Sequence, residues 1–378
     1  MGSQDISPVL TGPVLVIGTG LLGASIGLGL RAAGVPVYLQ DISPTVEAVA
    51  EDIGAGTRWS SLGEAKRASC APQLVLVAAP PDVAGDLCVQ ALNTYAPHGD
   101  YPGATVTDIA SVKSLPLRQV LESGADASRY VGSHPMAGRE KSGPVAAHGE
   151  LFQARPWIIC EHEAARTECV KLVRALAVEL GAIVTALSAS EHDETVALIS
   201  HVPQAVSSLL ATRLQHTPLY ALSLAGQGLR DTVRIAGSDP RLWVQIFAAN
   251  AEPMVRTLYG MRQDLDRLIA TLENPTAPGA RLDLAQLMSE GNAGVARIPG
   301  KHGTVPTAFA TLTVLVDDTP GSLARLLADI GELGVNVEDL RLEHSTGADV
   351  GMAELSVSPA KHDGLVTGLT ERGWKVVT

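Results

Sequence analysis

Aromatic side chains are scarce in this sequence, at 3% of 378 residues, although 46% of the residues are hydrophobic. The cores must therefore be built from Ala, Val, Leu and Ile. A surface of stacked aromatic rings for single-stranded nucleic acid is not expected. No long run of Lys and Arg interrupts a net charge of −12. Because nucleic acids and anionic membranes repel an acidic protein, we expect neither as a partner.

Cysteines and long apolar runs are also few. The cysteines lie far apart without CxxC pairs, so we expect reduced thiols and no metal site at Cys70, Cys88, Cys160 and Cys169. No uninterrupted apolar segment reaches the roughly 18 residues of a membrane span. The amino terminus is acidic and lacks the cationic region of a signal peptide. These features predict a cytoplasmic protein.

The sequence predicts three domains and a linker. Residues 1–187 alternate short Val, Ile and Leu runs with helical patterns, which predicts an α/β domain with a Rossmann-type wound sheet. Residues 188–290 show only helical patterns, and residues 291–307 form a linker rich in Gly and Pro. Residues 308–378 follow a βαββαβ order, which is ferredoxin-like.

Local patterns predict individual elements within these domains. The first domain has seven candidate strands of a parallel sheet, at Val14–Ile17, Val37–Gln40, Leu74–Ala78, Thr105–Ile109, Tyr130–Gly132, Trp157–Cys160 and Ile183–Leu187. In the helical domain, Ser190 and Asp193 have the spacing of a capping box. Pro203 is expected to kink the first helix.

A glycine-rich loop follows the first strand. Gly18, Gly20 and Gly23 have the GxGxxG spacing of a dinucleotide-binding turn, and Leu22 lies within that turn. The second strand ends at Asp41, where an acidic side chain binds the ribose hydroxyls and repels a 2′-phosphate. The sequence therefore predicts NAD as the cofactor.

Two further segments follow predicted strands, TDIASVK (Thr107–Lys113) and VGSHPMAGREKSG (Val131–Gly143). With the glycine loop, they resemble the prephenate/arogenate dehydrogenase family, and the resemblance covers the first two domains. It implies NAD-dependent oxidative decarboxylation of prephenate to 4-hydroxyphenylpyruvate. The alternative substrate is arogenate, which gives tyrosine directly. The sequence leaves the choice between the two substrates open.

The resemblance also assigns roles to residues around the HPMAG motif. His134 would be the general base, and its ordinary pKa near neutrality suits that role. Ser111 would hydrogen-bond the histidine, with a helix N-cap as its alternative role. Glu140 would gate the entrance by pairing with a cation. The adjacent Arg139 departs from the family pattern and is expected either at the substrate or in a surface pair.

The segments EHDETVALISHVPQ and GLRDTVRIAGSDPRLW resemble the substrate-binding part of the same family. The resemblance implies that Arg234 binds a substrate carboxylate, that His201 and Trp243 line the pocket, and that Asp231 supports them. Without the resemblance, Asp231 and Arg234 would be interpreted as a surface ion pair three residues apart, and His201 as a core histidine.

The last domain contains the segment VDDTPGSLARLLADIGELGVNVEDL. This segment resembles the ACT module, which binds amino acids between paired copies. The resemblance implies a ligand site at Asp318, Gly321 and Asn336, with tyrosine as the effector. A homodimer is expected because a helical domain that follows a dinucleotide fold commonly supplies a dimer contact. The alternative is a domain that only dimerises. Two remoter hypotheses for the whole chain are a β-hydroxyacid dehydrogenase, which would need a catalytic lysine on a helix, and a non-catalytic sensor of NAD and amino acids.

Overall fold

The structure is a computed structural model that describes residues 10–68, 70–138, 143–299, 309–344 and 350–377. The chain forms two compact units. The first unit comprises Met1–Thr212 and Val233–Gly260, and the second comprises Arg213–Thr232 and Met261–Thr378.

A parallel sheet of five strands lies in the first unit, in the order β3-β2-β1-β4-β5. Its strands are β1 (Val14–Ile17), β2 (Val37–Gln40), β3 (Thr57–Arg58), β4 (Leu74–Val77) and β5 (Thr105–Asp108). The helices between and after them are α1 (Leu21–Ala32), α2 (Pro44–Asp52), α3 (Glu64–Ala68), α4 (Pro81–Thr94) and α5 (Ser114–Glu122). Val14 and Val16 join one hydrophobic cluster while Leu15 joins another, so the sheet is buried on both faces.

Three more strands form a second sheet, in the order β6-β7-β8. They are β6 (Gly132–Pro135), β7 (Pro156–Cys160) and β8 (Ile183–Leu187), with α6 (Thr167–Glu179) before β8. Strands β6 and β7 are antiparallel. The expectation that these strands belong to the parallel sheet is therefore wrong for β6 to β8, because a run of apolar residues predicts a strand but does not specify its partner. Tyr130, the first residue of the expected strand Tyr130–Gly132, does form an isolated parallel bridge to Val106 of β5. Short 3₁₀ helices at Ala127–Arg129 and Pro144–Ala146 flank β6.

Helices dominate the chain from Ala189 to Val295. They are α7 (Ala189–Val196), a π-helical turn (Ala197–His201), α8 (Val202–Thr212), α9 (Leu219–Leu222), α10 (Gln227–Arg234), α11 (Pro240–Ala249), α12 (Ala251–Glu273) and α13 (Ala280–Val295), with 3₁₀ turns at Arg213–His216 and Ile235–Gly237. A π-helical turn ends at His201, two residues before Pro203. The kink expected at Pro203 stays a prediction.

The capping box predicted at Ser190 and Asp193 is wrong. Ser188 accepts a hydrogen bond from the backbone of Glu191, and the Glu191 carboxylate accepts one from the backbone of Ser188, so the helix starts two residues earlier. Asp193 is instead buried and accepts hydrogen bonds from other elements of the first unit.

The helical stretch Ala189–His216 is long and apolar enough to cross a membrane by length and composition alone. However, it carries buried His192, Asp193 and His201, which are hydrogen-bonded within the first unit. These buried polar side chains show that one face of the stretch packs inside the protein, whereas Leu198, Ile199 and Leu209 are exposed.

The second unit contains an antiparallel sheet in the order β10-β11-β9-β12. Its elements are β9 (Ala310–Asp317), α14 (Ser322–Glu332), β10 (Asp339–His344), β11 (Val350–Val357), α15 (Pro359–Glu371) and β12 (Lys375–Val377). This βαββαβ order confirms the ferredoxin-like topology expected from the sequence. The predicted linker begins within α13, and residues 300–308 lie outside the described part of the chain.

Candidate active site

The glycine loop between β1 and α1 has the geometry that a dinucleotide pyrophosphate requires. Gly18 has a φ of +93°, and a Cβ there would overlap the carbonyl oxygen of Ala78. A Cβ at Gly23 would overlap the carbonyl oxygen of Gly18, whereas a Cβ at Gly20 meets nothing within 4 Å. The first and third glycines are thus required by the fold, and the second leaves open space beside the backbone. Leu22 packs against the hydrophobic core.

Asp41 lies at the end of β2, beside this loop. Its Oδ2 accepts hydrogen bonds from the backbone N–H (2.6 Å) and the hydroxyl (3.0 Å) of Thr19, and its Oδ1 accepts one from the backbone of Ser43 (2.9 Å). The carboxylate is held in place, and its oxygens keep lone pairs for a ribose hydroxyl. The residues present therefore fit the adenosine side of NAD.

His134 heads a chain of hydrogen-bonded side chains. The residue lies in β6 and is partly exposed. Its Nδ1 lies 2.8 Å from Nε2 of His192, and Nδ1 of His192 lies 2.8 Å from Oδ1 of Asp193. The backbone N–H groups of Lys113 and Ser114 donate to the two oxygens of Asp193, each at 2.8 Å. Three separate sequence segments thus converge on one site.

Asn250 connects this chain to His201. Its amide Nδ2 donates to the backbone oxygen of Asp193 at 2.9 Å and lies 3.0 Å from Nδ1 of His201. A carbonyl oxygen only accepts, so the amide nitrogen must face both groups, and Nδ1 of His201 must accept. Neutral His201 therefore carries its proton on Nε2. The Trp243 ring lies 6.1 Å from the His201 ring, so the structure brings these two predicted pocket residues together.

A buried ion pair stabilises the segment that binds Asp193. Lys113 pairs with Asp108 at the end of β5, and both side chains are buried. The hydroxyl of Tyr130 donates to the other oxygen of Asp108 at 2.6 Å. Because this pair is fully desolvated and hydrogen-bonded, losing one partner would leave an uncompensated buried charge. It therefore fixes the segment whose backbone binds Asp193.

The local environment favours the neutral form of the imidazole rings of His134, His192 and His201. Burial, followed by the neighbouring His192 and Lys113, holds the pKa of His134 well below its ordinary value. Burial also lowers the pKa of His192, against the opposing effect of Asp193, and lowers the pKa of His201 to about 4. Burial alone would raise the pKa of Asp193, but hydrogen bonds from His192 and Ser114 outweigh it and lower that pKa. At neutral pH the histidine rings are therefore neutral and lie beside the Asp193 carboxylate.

These shifts predict a loss of stability in mild acid. The lowered pKa values mean that the unfolded chain binds more protons than the folded chain, so the free energy of unfolding decreases as pH falls below about 6.5. We expect the urea midpoint to be lower at about pH 6 than at about pH 8. The His201→Asn variant should show a smaller difference between the two midpoints. A midpoint that rises towards pH 6 would contradict the assigned directions.

Not every predicted site residue joins this cluster. Among the described contacts, the Ser111 hydroxyl makes no hydrogen bond to His134, whose Nδ1 partner is His192; the role of Ser111 stays a prediction. Glu140 and Arg139 lie outside the described residues. Arg234 is exposed at the end of α10. Asp231 belongs to the second unit and accepts a hydrogen bond from Gln227 at 2.8 Å.

The sequence analysis missed His192 and Asp193 as site residues. Their signal is an adjacent His and Asp just before a largely apolar helical stretch that begins at Val196, since charged residues near a core are rarely buried without a partner.

Known proteins share this arrangement of domains. Residues 26–186 match the family model "Prephenate dehydrogenase, nucleotide-binding domain", and residues 188–290 match "Prephenate dehydrogenase, dimerization domain". A probable prephenate dehydrogenase of Streptomyces niveus is 35% identical over 370 residues, covering 95% of this chain and 98% of the relative.

Two solved structures resemble the fold. Prephenate dehydrogenase of Aquifex aeolicus, in complex with hydroxyphenyl propionate and NAD+, is 27% identical with a TM-score of 0.66, and the match covers 78% of this chain and 100% of that chain. Synechocystis arogenate dehydrogenase is 25% identical with a TM-score of 0.61, covering 75% of this chain and 99% of that chain. Since the family models match more than half of the sequence and the Streptomyces relative aligns along nearly all of it, the chain belongs to the prephenate dehydrogenase family.

Proposed function

We propose that this chain is an NAD-dependent prephenate dehydrogenase that converts prephenate to 4-hydroxyphenylpyruvate and carbon dioxide. The observation that carries the proposal is the partly exposed, neutral His134 in the same compact unit as an intact dinucleotide loop. The family match and the NAD+ complex of the Aquifex relative support the same cofactor.

The proposed chemistry needs a base and an electron acceptor. His134 takes the proton of the ring hydroxyl at its free nitrogen while the carbinol carbon becomes a carbonyl carbon. Bound NAD would accept the hydride that leaves this carbon. The bond to the ring carboxylate then breaks, carbon dioxide leaves, and the bonding electrons make the ring aromatic, with the carbonyl oxygen becoming a phenolate. This oxygen takes back the proton that His134 accepted, which gives the phenol of the product and restores the base. Because the His134 pKa is low, the base is unprotonated and ready at neutral pH.

Substrate binding is assigned to the residues on the helices. Arg234 would bind a substrate carboxylate through its guanidinium fork. His201 would donate a hydrogen bond from Nε2 without carrying a charge, since its pKa is about 4. Trp243, beside it, would form an apolar wall.

Arogenate is the second candidate substrate, supported by the likeness to the Synechocystis arogenate dehydrogenase. The two substrates differ only in a side-chain keto or ammonium group. The test is the rate of NADH formation with each. We expect kcat/KM for prephenate to exceed that for arogenate, and the reverse order would assign the enzyme to arogenate.

Asp41 predicts the cofactor preference. Its fixed carboxylate would repel a 2′-phosphate, so we expect kcat/KM to be higher with NAD than with NADP. The Asp41→Asn variant keeps the shape but removes the charge, so it should narrow the difference between the two cofactors. A wild-type preference for NADP would contradict the role of Asp41.

The carboxyl-terminal domain is proposed to be an ACT module that senses tyrosine. The ferredoxin-like topology supports this, and so does Gly321, which precedes α14 with a φ of +92° and no atom within 4 Å of a Cβ. Asp318 is exposed in the turn before that helix, and exposed Asn336 donates to Glu338 at 2.8 Å. The free N–H groups at the start of α14 suit an amino-acid carboxylate.

Tyrosine is therefore expected to lower activity by several-fold, because allosteric couplings are typically about 1–3 kcal/mol. The measurement is inhibition of NADH formation in the full chain, in Asn336→Ala, and in a shortened chain ending near Gly300. Loss of inhibition in the last two supports the sensor. An active shortened chain that keeps full inhibition would show competition at the active site instead.

We also propose a cytoplasmic homodimer with domain boundaries near residues 187 and 290. The second family match, described as a dimerization domain, covers residues 188–290. This region exposes many large apolar side chains, as expected of a surface that a second copy covers. They include Leu198, Ile199, Leu209, Leu219, Tyr220, Leu224, Val255, Tyr259 and Leu265.

A further inference from the structure

We propose that His192 is a positioning residue that, with Asp193, holds His134 in the one tautomer able to act as the base. The inference rests on the proposed function, because it assigns a role within the same reaction. It extends the site to two residues for which the sequence analysis gave no function.

The donor and acceptor of each hydrogen bond in the series His134–His192–Asp193 follow from the carboxylate at its end. The Asp193 carboxylate can only accept, and it faces Nδ1 of His192 at 2.8 Å, so that nitrogen carries the proton. Neutral His192 then has a lone pair on Nε2, which faces Nδ1 of His134 at 2.8 Å. His134 must therefore be protonated on Nδ1. Its Nε2 is left with the lone pair that a general base needs.

Asp193 is itself held in one orientation. Backbone N–H groups of Lys113 and Ser114 bind its two oxygens at 2.8 Å each, and its own backbone oxygen accepts from Asn250. The side chain of His192 is fully buried, and Asp193 is 3% exposed. Because both side chains are buried, water has little access to compete for these hydrogen bonds.

The same chain stabilises the charge that forms during the reaction. When Nε2 of His134 takes the substrate proton, the ring becomes a cation with both nitrogens protonated. Its Nδ1–H still donates to His192, whose Nδ1–H still donates to the Asp193 carboxylate. No proton needs to move along the chain, and the carboxylate remains ionised while it faces the new positive charge through one intervening ring.

Substitutions of His192 separate positioning from packing. His192→Leu removes both hydrogen bonds, whereas the amide of His192→Gln can accept from His134 with its oxygen and donate to Asp193 with its nitrogen. We expect His192→Leu to lower kcat by about 10²-fold, with little change in KM or NAD affinity. His192→Gln should recover most of the loss. His162→Leu, at a histidine that contacts the backbone oxygen of Tyr130, is the matched control and should keep the wild-type kcat.

A nitrogen-15 NMR spectrum of labelled histidine gives a readout that does not depend on turnover. The wild-type protein is expected to show His134 and His192 protonated on Nδ1, and His192→Leu should lose this preference at His134. A wild-type His134 protonated on Nε2, or a His192→Leu variant with wild-type kcat, would overturn the inference. If His192→Leu does not fold, the wild-type tautomer decides alone. A wild-type protein that forms no NADH would contradict the proposed function. In that case the His134 tautomer in the NMR spectrum still tests whether His192 and Asp193 orient His134.

Discussion

Replacing His134 by Asn or Ala is expected to lower kcat by about 10²–10⁴-fold and to leave NAD affinity nearly unchanged. The physical reason is that the ring hydroxyl then has no positioned acceptor for its proton, while the glycine loop and Asp41 are untouched. The measurement is steady-state NADH formation together with NAD binding. His98→Asn, at an exposed histidine whose ring lies 3.1 Å from the backbone oxygen of Ala96 and beside the ring of Tyr101, is the control.

A His134→Asn variant with wild-type kcat would remove this residue from the mechanism. A variant that loses NAD affinity as strongly as kcat would instead show that the substitution disturbs the fold around the cofactor. The two measurements together therefore distinguish a lost base from a damaged domain.

The second large effect is expected at Arg234. Arg234→Gln should cost about 2–4 kcal/mol of substrate binding, because a substrate carboxylate would lose its charged partner. That cost corresponds to a KM increase of roughly 30- to 1,000-fold at nearly constant kcat. Arg241→Gln removes an exposed arginine of the same compact unit that pairs with Asp239, and it should leave KM unchanged. If Arg234→Gln also leaves KM unchanged, Arg234 is a surface residue and another cation binds the carboxylate.

The sequence predicted the elements better than their arrangement. Six of the seven expected strands of the first domain are present at the predicted positions, and most of them are buried apolar runs between turn residues. The seventh, expected at Tyr130–Gly132, is shifted to Gly132–Pro135. The two-residue strand Thr57–Arg58 was missed, since it has no pattern of its own. The sequence also could not reveal that β6 to β8 form a separate sheet. Strand pairing depends on long-range contacts, which local periodicity does not encode.

The cofactor loop was the most predictable part of the site. Its glycines act within one turn, so their spacing alone carries the geometry that the structure displays at Gly18 and Gly23. The catalytic cluster was only half predictable. His134 stands in a motif, but its partner His192 is 58 residues away along the chain. The adjacent Asp193 was interpreted as a helix cap, because the sequence does not show that backbone groups of Lys113 and Ser114 bind it.

The most direct test of the account is the stoichiometry of the reaction of the full-length wild-type protein with prephenate and NAD. The account predicts one NADH and one carbon dioxide for each prephenate consumed, with 4-hydroxyphenylpyruvate as the product. Consumption of arogenate but not of prephenate would show that the enzyme is an arogenate dehydrogenase. Failure to form NADH from either compound, in a folded protein that binds NAD, would contradict the account.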